Sequence, residues 1–418
     1  MGKKVSSSMH GARHSGNGTS SRSPRVRVRR LTCGLVVLAM CITQCGPSSS
    51  ENPQAPPEAP GPSSTNVILY VTFSGESGKK GVTKPINNVY GIADDGSYKD
   101  TKNLLDASAV ALDELRGMAL SPDGTRLFIA NSNKRHNQIL VFGPLINSPG
   151  ATKYVSTFAG PATANATGLL HPYQPAVDDE GNLYVSSQDT FVVTSFASSG
   201  GDAPTGSVRA TASWWAANYA GSNLYPGTWA PADANSQAAT PPPTPVPIGS
   251  SDGGLKGPRA IAVSSLMNRF YVADNPDNSV KSYELTTGKY LGKVVEFETG
   301  EPVGLAFDEP DGRLFVTAEQ SNDVHVVEVG SNTAPCDSQC PASKIIDSTE
   351  GDAVLDAPSG IIVVPDSTAD TATIYVASRL GLRINKYAYD FATGALTASE
   401  TFATSFTDTP EQLIAAPP

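Results

Sequence analysis

Four short apolar segments of the 418-residue chain begin with side chains that could bind a ligand. A glutamate carboxylate can ligate a hard cation, an arginine cannot, and a tyrosine ring gives rigid contact area. Such residues form one site only if the fold brings their segments together. The candidate ligand-binding residues are Arg116, Tyr173, Arg259 and Glu411.

A second group of candidates is aromatic and lies at about residues 202–256. All three tryptophans of the chain occur there. Indole and phenol rings suit contacts with carbohydrates and peptides, and long loops in compact domains are often functional. We predict that they form part of a ligand- or partner-binding rim; alternatively, they only pin the loop to the protein surface. The rim candidates are Trp214, Trp215, Trp229 and Tyr225, with Tyr219 beside them.

Motifs for covalent or acid–base catalysis are missing from the sequence. It has no nucleophile-elbow serine, no paired histidines and no phosphate-cradling glycine loop. His136, His171 and His325 are more simply explained as structural residues. Asp-rich turns such as residues 122–124 favour tight hairpins over calcium sites, because Asp bonds its own backbone and Gly accepts positive φ. We therefore assign no catalytic residue, no metal ligand and no cofactor.

Self-similarity along the chain identifies the elements that must position the candidates. Each repeat has a short apolar strand, a turn, a second strand of the LYVA kind, a polar turn and a third strand. A looser β-like segment follows most of them. Four antiparallel strands, repeated, are typical of β-propeller blades, which bury their faces only against one another. The repeats are residues 116–142, 173–196, 259–283, 303–327 and 359–387.

The number of LYVA-type strands predicts six blades. They lie near Tyr70, Phe128, Tyr184, Tyr271, Phe315 and Tyr375. The first has no innermost strand before it, but residues 410–417 at the chain end, PEQLIAAP, align with residues 358–365, PSGIIVVP. We predict an all-β, six-bladed propeller of four-stranded antiparallel blades, closed where the C-terminal strand joins blade 1. A five-bladed ring and a seventh blade within residues 200–257 are the alternatives.

The repeats also define equivalent positions at the entrance to the inner strands. We expect the loops between blades, and those joining second to third strands, to cluster on one face of the ring around the channel. That face would also carry polar loop residues such as Glu319, Asn322 and Arg379. The entrance residues are Arg116, Tyr173, Arg259, Val303, Ser359 and Glu411.

The pattern resembles the NHL-type repeat, which is related to YVTN repeats and gluconolactonase-like propellers. Residues 158–196 carry the clearest match, with His-Pro, the inner strand, Asp-x-x-Gly-Asn and Leu-Tyr-Val in order. The resemblance covers roughly residues 66–418 and implies the propeller fold. Gluconolactonase-like relatives imply a divalent cation held by Glu, Asn and Asp, for which Glu411 is the one match. The residues at the positions equivalent to Glu411 in the other five repeats are poor ligands for a hard cation.

The N-terminus resembles a bacterial lipoprotein signal. The basic stretch RVRVRR precedes the short apolar run at residues 31–45, and Pro/Ser-rich sequence follows. We predict a signal peptide over residues 1–45, lipidation of Cys45, a disordered tether over residues 46–65 and a propeller over residues 66–418. Alternatives are lipidation of Cys41, an ordinary secretory or twin-arginine signal, and a short uncleaved anchor.

Charge and cysteines narrow the functional classes. Residues 1–45 hold eight of the 30 Lys and Arg and none of the 40 Asp and Glu, so the remainder has a net charge near −18. This argues against nucleic-acid binding, which needs a basic surface. Outside the cytoplasm, the closely spaced Cys336 and Cys340 predict a local disulfide rather than a metal site.

Together these features predict a monomeric binding or assembly module on the bacterial cell envelope, periplasmic or at the cell surface. It is expected to be lipid-anchored and to bind an envelope protein, a peptide or a glycan. The alternative is a metal-dependent lactonase-like hydrolase or a lyase with its site in the channel. A purely structural envelope protein is a third reading.

Overall fold

The computed structural model describes residues 66–75, 82–159, 169–196, 254–309, 311–347, 353–366 and 370–416, and the backbone of residues 212–215. These parts of the chain form 25 β-strands and two 3₁₀ turns, Lys99–Thr101 and Asn275–Asp277. Blades 1 and 2 contain β1 (Val67–Phe73), β2 (Tyr90–Ala93), β3 (Leu115–Leu120), β4 (Leu127–Asn131), β5 (Gln138–Phe142) and β6 (Tyr154–Ala159). Blades 3 and 4 contain β7 (Pro172–Val177), β8 (Leu183–Ser187), β9 (Val192–Phe196), β10 (Ala212–Trp215), β11 (Pro258–Ser264), β12 (Arg269–Asp274), β13 (Ser279–Glu284) and β14 (Tyr290–Glu296).

Blades 5 and 6 follow in chain order, and the last strand returns to blade 1. Blade 5 contains β15 (Pro302–Asp308), β16 (Arg313–Ala318), β17 (Asp323–Glu328) and β20 (Ala342–Ile346), with a small hairpin of β18 (Gly330–Ser331) and β19 (Ala334–Pro335) before β20. Blade 6 contains β21 (Pro358–Pro365), β22 (Thr371–Ser378), β23 (Arg383–Asp390) and β24 (Ala395–Ala403). The final strand is β25 (Pro410–Ala415).

The predicted six-bladed β-propeller is confirmed. Each sheet is antiparallel, and in blades 2 to 6 four strands run in chain order from the inside to the outside of the ring. The inner strands β25, β3, β7, β11, β15 and β21 pack against one another in that order and close the circle. The six LYVA-type segments form the second strand of each blade, as the repeats predicted.

Closure of the ring by the chain end is also confirmed. β25 pairs with β1, with Tyr70 opposite Ile414 and Val71 opposite Leu413. The buried carboxylate of Asp408 reinforces the joint from one side, because it accepts hydrogen bonds from the backbone nitrogens of Gly75 and Ile86 at 2.9 and 2.7 Å. The inner edge of β1, which would otherwise lie open, is therefore paired.

Blade 1 differs from the prediction of four strands, because among the described residues its sheet has three, in the order β2-β1-β25. After β2 the chain leaves the sheet. Leu104 bonds through its nitrogen to the Val89 oxygen at 3.0 Å, and Leu105 forms a parallel bridge with Thr152 of blade 2. Leu104 and Leu105 are buried between the first two blades, which gives this segment a packing site other than the outer edge of the sheet.

The core is divided among the six interfaces between neighbouring blades. One apolar cluster joins blades 6 and 1 and includes Phe73, Tyr375 and Leu413. Five further clusters occupy the other interfaces in the same way. Each blade thus buries both of its faces against its neighbours, and this arrangement requires a closed ring.

A polar side chain also links each blade to the inner strand of the next. In two of these links, Ser186 Oγ donates to the Arg259 oxygen at 2.5 Å and Thr317 Oγ1 donates to the Ser359 oxygen at 2.7 Å. Such bonds fix the height of one inner strand relative to the next. The other four run from Thr72 to Arg116, Ser132 to Pro172, Asn275 to Pro302, and Ser359 to Pro410.

Glycine allows the closest approach between inner strands. A Cβ atom on Gly304 would lie 2.0 Å from the Ser359 oxygen, and one on Gly360 would lie 2.7 Å from Gln412 Cα. A larger residue at either position would push two blades apart. Within the described parts of the chain, no helix is long and apolar enough to cross a membrane.

The predicted disulfide between Cys336 and Cys340 is present. It closes a loop of blade 5 that lies against blade 4. Asp337 binds the guanidinium of Arg269 through two contacts of 2.8 and 3.0 Å, and the Cys340 nitrogen donates to the Val294 oxygen at 2.7 Å. The loop therefore connects the outer parts of two blades.

Candidate functional site

The end of the ring at which the six inner strands begin is here called the mouth. Strand register confirms that the entrance residues are equivalent, since Pro258, Pro302 and Pro358 each face the last residue of the following strand. Proline suits a strand start because no ladder hydrogen bond is needed from its nitrogen. The structure thus brings Arg116, Tyr173, Arg259, Val303, Ser359 and Glu411 to one level of the channel.

Three of these residues meet in one buried cluster. Arg116 Nη1 lies 2.7 Å from Glu411 Oε1, and the Tyr173 hydroxyl lies 3.4 Å from Glu411 Oε2. Only 4% of the Arg116 side chain and 2% of the Glu411 side chain are exposed. Because Tyr173 and Glu411 belong to blades 3 and 1, which are not neighbours, their side chains meet across the channel rather than within a blade interface.

Two loop residues complete the charge cluster. Arg379 follows β22, and its Nη1 lies 3.7 Å from Glu411 Oε1. Its Nη2 forms an ion pair with Glu319, which follows β16 in the preceding blade. Glu411 therefore lies between the guanidinium groups of Arg116 and Arg379.

Arg259 contacts the cluster through an aromatic ring. Its guanidinium carbon lies 4.8 Å from the centroid of the Tyr173 ring, within the range of a cation–π interaction. Burial raises the pKa of the Tyr173 hydroxyl, and the nearby Glu411 raises it further, while the surrounding arginines oppose the change. The phenol is therefore neutral at physiological pH and acts as a hydrogen-bond donor.

Backbone conformation at the mouth is unusual and repeated. The residues just before four inner strands have left-handed φ angles of 50–54°: Glu114, His171, Glu301 and Ala357. An asparagine of the preceding blade accepts a hydrogen bond from the backbone nitrogen of each, at 2.6–3.0 Å: Asn87, Asn137, Asn278 and Asn322. These asparagines hold the strained entrances in place, so Asn322, which was predicted only as a polar face residue, has a structural role.

His171 lies beside the cluster and titrates abnormally. Burial lowers the pKa of its imidazole, the charge of Arg116 lowers it further, and Asp189, 3.5 Å from Nδ1, acts in the opposite direction. His325 bonds to Asp323 at 3.0 Å within blade 5. These contacts are compatible with structural roles for both histidines.

Ionic contacts also occupy two aspartates between β12 and β13, Asp274 at the end of β12 and Asp277 in the turn after it. Lys281 is almost completely buried, and its ammonium group lies 2.5 Å from Asp274 and 2.9 Å from Asp277. The same ammonium group donates to the Gly254 oxygen at 2.7 Å. These contacts anchor the segment that leads into β11, and so help to position Arg259.

The charge arrangement opposes a divalent cation at Glu411. Two guanidinium groups lie within 4 Å of its carboxylate and would repel a cation there. Among the described residues, no three His, Cys, Asp or Glu side chains are grouped as metal ligands. The Asp-rich turns serve the hairpins: Asp123 accepts a bond from the Thr125 nitrogen at 3.0 Å.

The tryptophan candidates are only partly described. Trp214 and Trp215 lie in β10, which pairs with β9 as the outermost strand of blade 3. Only their backbone is described, and Trp229, Tyr225 and Tyr219 lie outside the described residues. A binding rim formed by these rings stays a prediction.

A separate depression of about 340 Å³ lies at the opposite ends of blades 3 and 4. Its acidic wall includes Asp178, but the Asp178 carboxylate already accepts hydrogen bonds from the Tyr184 hydroxyl at 2.9 Å and from Asn182 Nδ2 at 2.8 Å. These contacts stabilise the hairpin turn. We therefore favour the mouth, where the candidate residues converge.

The sequence comparisons and the structure comparison gave different results. No protein-family profile matches it, and no curated protein matches it. A chain from the crystal structure of a nidogen/laminin complex aligns over 84% of this chain and 99% of its own length, with 11% identity and a TM-score of 0.50. A streptogramin B lyase aligns over 84% of this chain and 95% of its own length, with 12% identity and a TM-score of 0.46. A catalytically inactive virginiamycin B lyase from Staphylococcus aureus, solved with quinupristin, aligns over 71% of this chain and 73% of its own length. The identity is 11% and the TM-score is 0.41.

At these identities, the nidogen/laminin alignment shows a shared fold and nothing finer. It agrees with the propeller that the NHL-like repeats predicted. The chain is a six-bladed β-propeller whose mouth gathers charged and aromatic side chains from all six blades.

Proposed function

We propose that the protein is an extracytoplasmic binding module that engages its ligand or partner at the mouth. The observation that carries this proposal is the buried meeting of Arg116, Tyr173 and Glu411 across the channel. Desolvating such groups costs free energy, and apolar residues of similar size are often at least as stabilising. Val303 at the equivalent position shows that ring closure does not require charge there. A binding role explains why the polar cluster is present.

The fold and the charge favour a partner other than nucleic acid. A propeller of the same architecture is part of a nidogen/laminin complex, so this fold is compatible with protein binding. The net charge near −18 outside the first 45 residues repels nucleic-acid backbones. We propose an envelope protein, a peptide or a glycan as the partner of a monomeric propeller, with the aromatic segment around Trp214, Trp215, Trp229 and Tyr225 as an additional contact.

We further propose that the module is held on a bacterial envelope membrane by a lipid on Cys45. The basic stretch, the apolar run and the Pro/Ser-rich sequence support this proposal, and all of them lie outside the described residues. Metabolic labelling with a palmitate analogue tests it, with the Cys41→Ala variant as matched control. Label lost in Cys45→Ala and kept in Cys41→Ala is expected; label kept in Cys45→Ala contradicts the assignment.

Cross-linking in intact cells tests the binding role. A photoreactive amino acid at Lys134, an exposed residue of the mouth face, is compared with one at Lys289, which lies at the opposite end of blade 4. We expect a discrete adduct from position 134 alone, abolished by Arg259→Gln. Equal adducts from both positions, or none from position 134, would argue against binding at the mouth. Stoichiometric divalent metal in the purified protein, lost in Glu411→Ala, would instead favour the lactonase-like hydrolase.

A further inference from the structure

The charges of the cluster described above do not balance. Arg116, Arg259 and Arg379 contribute three positive charges to the cluster, whereas Glu411 and Glu319 contribute two negative charges. Both carboxylates contact Arg379, and Glu411 also contacts Arg116. Among these described residues, one positive charge therefore remains in excess, although the protein is acidic overall.

The excess charge is located on Arg259. Within the described parts of the chain, its guanidinium forms no ion pair, and its Nε is buried without a hydrogen-bond partner. The contact of its guanidinium is the ring of Tyr173, a neutral group. By contrast, Arg313 stacks on Phe391 at 4.5 Å in much the same way, but it also contacts Asp311 at 3.2 Å. Stacking on an aromatic ring thus does not prevent an arginine from binding a carboxylate.

The positions beside Arg259 in the ring carry no competing charge. The next two inner strands place Val303 and Ser359 at the same level. The Ser359 hydroxyl is used in a 3.0 Å hydrogen bond to the Pro410 oxygen. The donors of Arg259 are therefore the groups at this level that are suited to an incoming anion.

We propose that Arg259 binds a carboxylate group of the ligand, which deepens the proposed function and rests on it. A guanidinium presents a planar fork that matches the two oxygens of a carboxylate. One negative charge balances the excess of one positive charge. A phosphate dianion would bring a second negative charge close to the buried Glu411, which opposes its binding. The site selects a carboxylate monoanion.

The test titrates the full-length protein with three probes: N-acetylglycine as a peptide-type carboxylate, D-glucuronate as a sugar carboxylate, and inorganic phosphate. Calorimetry and the melting temperature are read on wild type and on Arg259→Gln, with Arg313→Gln as matched control. We expect at least one carboxylate to bind wild type and Arg313→Gln alike, and to bind Arg259→Gln about tenfold more weakly or worse. The two carboxylates distinguish a peptide source from a sugar source.

Phosphate binding at least as tightly as both carboxylates, or carboxylate binding that Arg259→Gln leaves unchanged, overturns the proposal. Failure of both carboxylates to bind wild type also overturns it. If the cross-link from position 134 is nevertheless abolished by Arg259→Gln, the proposed function stands and the ligand class is wrong. If position 134 also gives no cross-linked adduct in the wild-type protein, the proposed function is contradicted together with the ligand class.

Discussion

Arg116 and Glu411 form a buried ion pair of 2.7 Å although 295 residues separate them in sequence. The pair joins blade 2 to the strand that closes blade 1. It therefore couples the candidate site to the integrity of the ring.

Neutralising Glu411 is expected to destabilise the protein strongly. In Glu411→Gln, the guanidinium groups of Arg116 and Arg379 lose their shared buried carboxylate, so the free energy of unfolding should fall by about 3–5 kcal/mol. Urea denaturation measures it. Glu296→Gln, which removes an exposed partner of Lys293, is the control and should cost less than about 1 kcal/mol. Equal effects of the two variants would contradict a tightly paired cluster.

The closing strand should contribute much of the stability. Leu413 is 1% exposed and packs between blades 6 and 1, so Leu413→Ala should lower the free energy of unfolding by about 2–5 kcal/mol. Ala415→Ser, at an exposed position of the same strand, should change it by less than about 0.5 kcal/mol. Deleting residues 410–418 should lower the melting temperature far more than deleting residues 417–418. A negligible difference between the two deletions would refute closure.

Stability should decrease in mild acid because of His171. Its pKa is lowered in the folded protein, chiefly by burial and then by Arg116, whereas an imidazole in the unfolded chain titrates near about 6.5. As the pH falls below that value, the unfolded state takes up the proton first. The free energy of unfolding therefore drops, and it levels off below the folded-state pKa.

His171→Asn should remove this pH dependence. Asparagine tolerates the φ of 54° at this position and does not titrate. Urea denaturation between pH 8 and pH 5 should show wild type losing stability relative to the variant. Parallel curves over that range would mean that the pKa of His171 is not lowered by folding.

Reducing the disulfide should weaken the contact between blades 4 and 5. A loop this short is expected to yield about 2 kcal/mol from restriction of the unfolded chain. The Cys336→Ala/Cys340→Ala variant should melt at the same temperature as reduced wild type and should not respond to reductant. If reductant lowers the melting temperature of that variant, its effect on wild type does not come from this disulfide.

The strands could be predicted from the sequence more completely than the contacts between charged side chains. Apolar runs and turn residues recur at each blade, so the inner strands, their entrance residues and the role of residues 410–415 in closure could be predicted. Blade 1 was predicted with a fourth strand because the repeat pattern does not show that Leu104 and Leu105 find burial against blade 2.

Pairing across the channel was harder to predict. Glu319 and Arg379 follow the second strands of consecutive blades, and aligning these repeats as neighbours would have suggested their ion pair. The contact of Arg379 with Glu411 depends on how far a side chain reaches over the channel, and repeat spacing carries no such information. The left-handed entrances were missed for a similar reason, since they are stabilised by hydrogen bonds that their backbone nitrogens donate to asparagines of the preceding blade.

The pairing of β1 with β25 also determines at which face of the ring the described chain begins. β1 starts beside Ala415 and ends beside Pro410, next to Glu411. Residue 66 thus enters at the face opposite the mouth, about 20 Å away along a seven-residue strand. The chain upstream of residue 66 is therefore connected to the ring at the face opposite the arginine-lined opening.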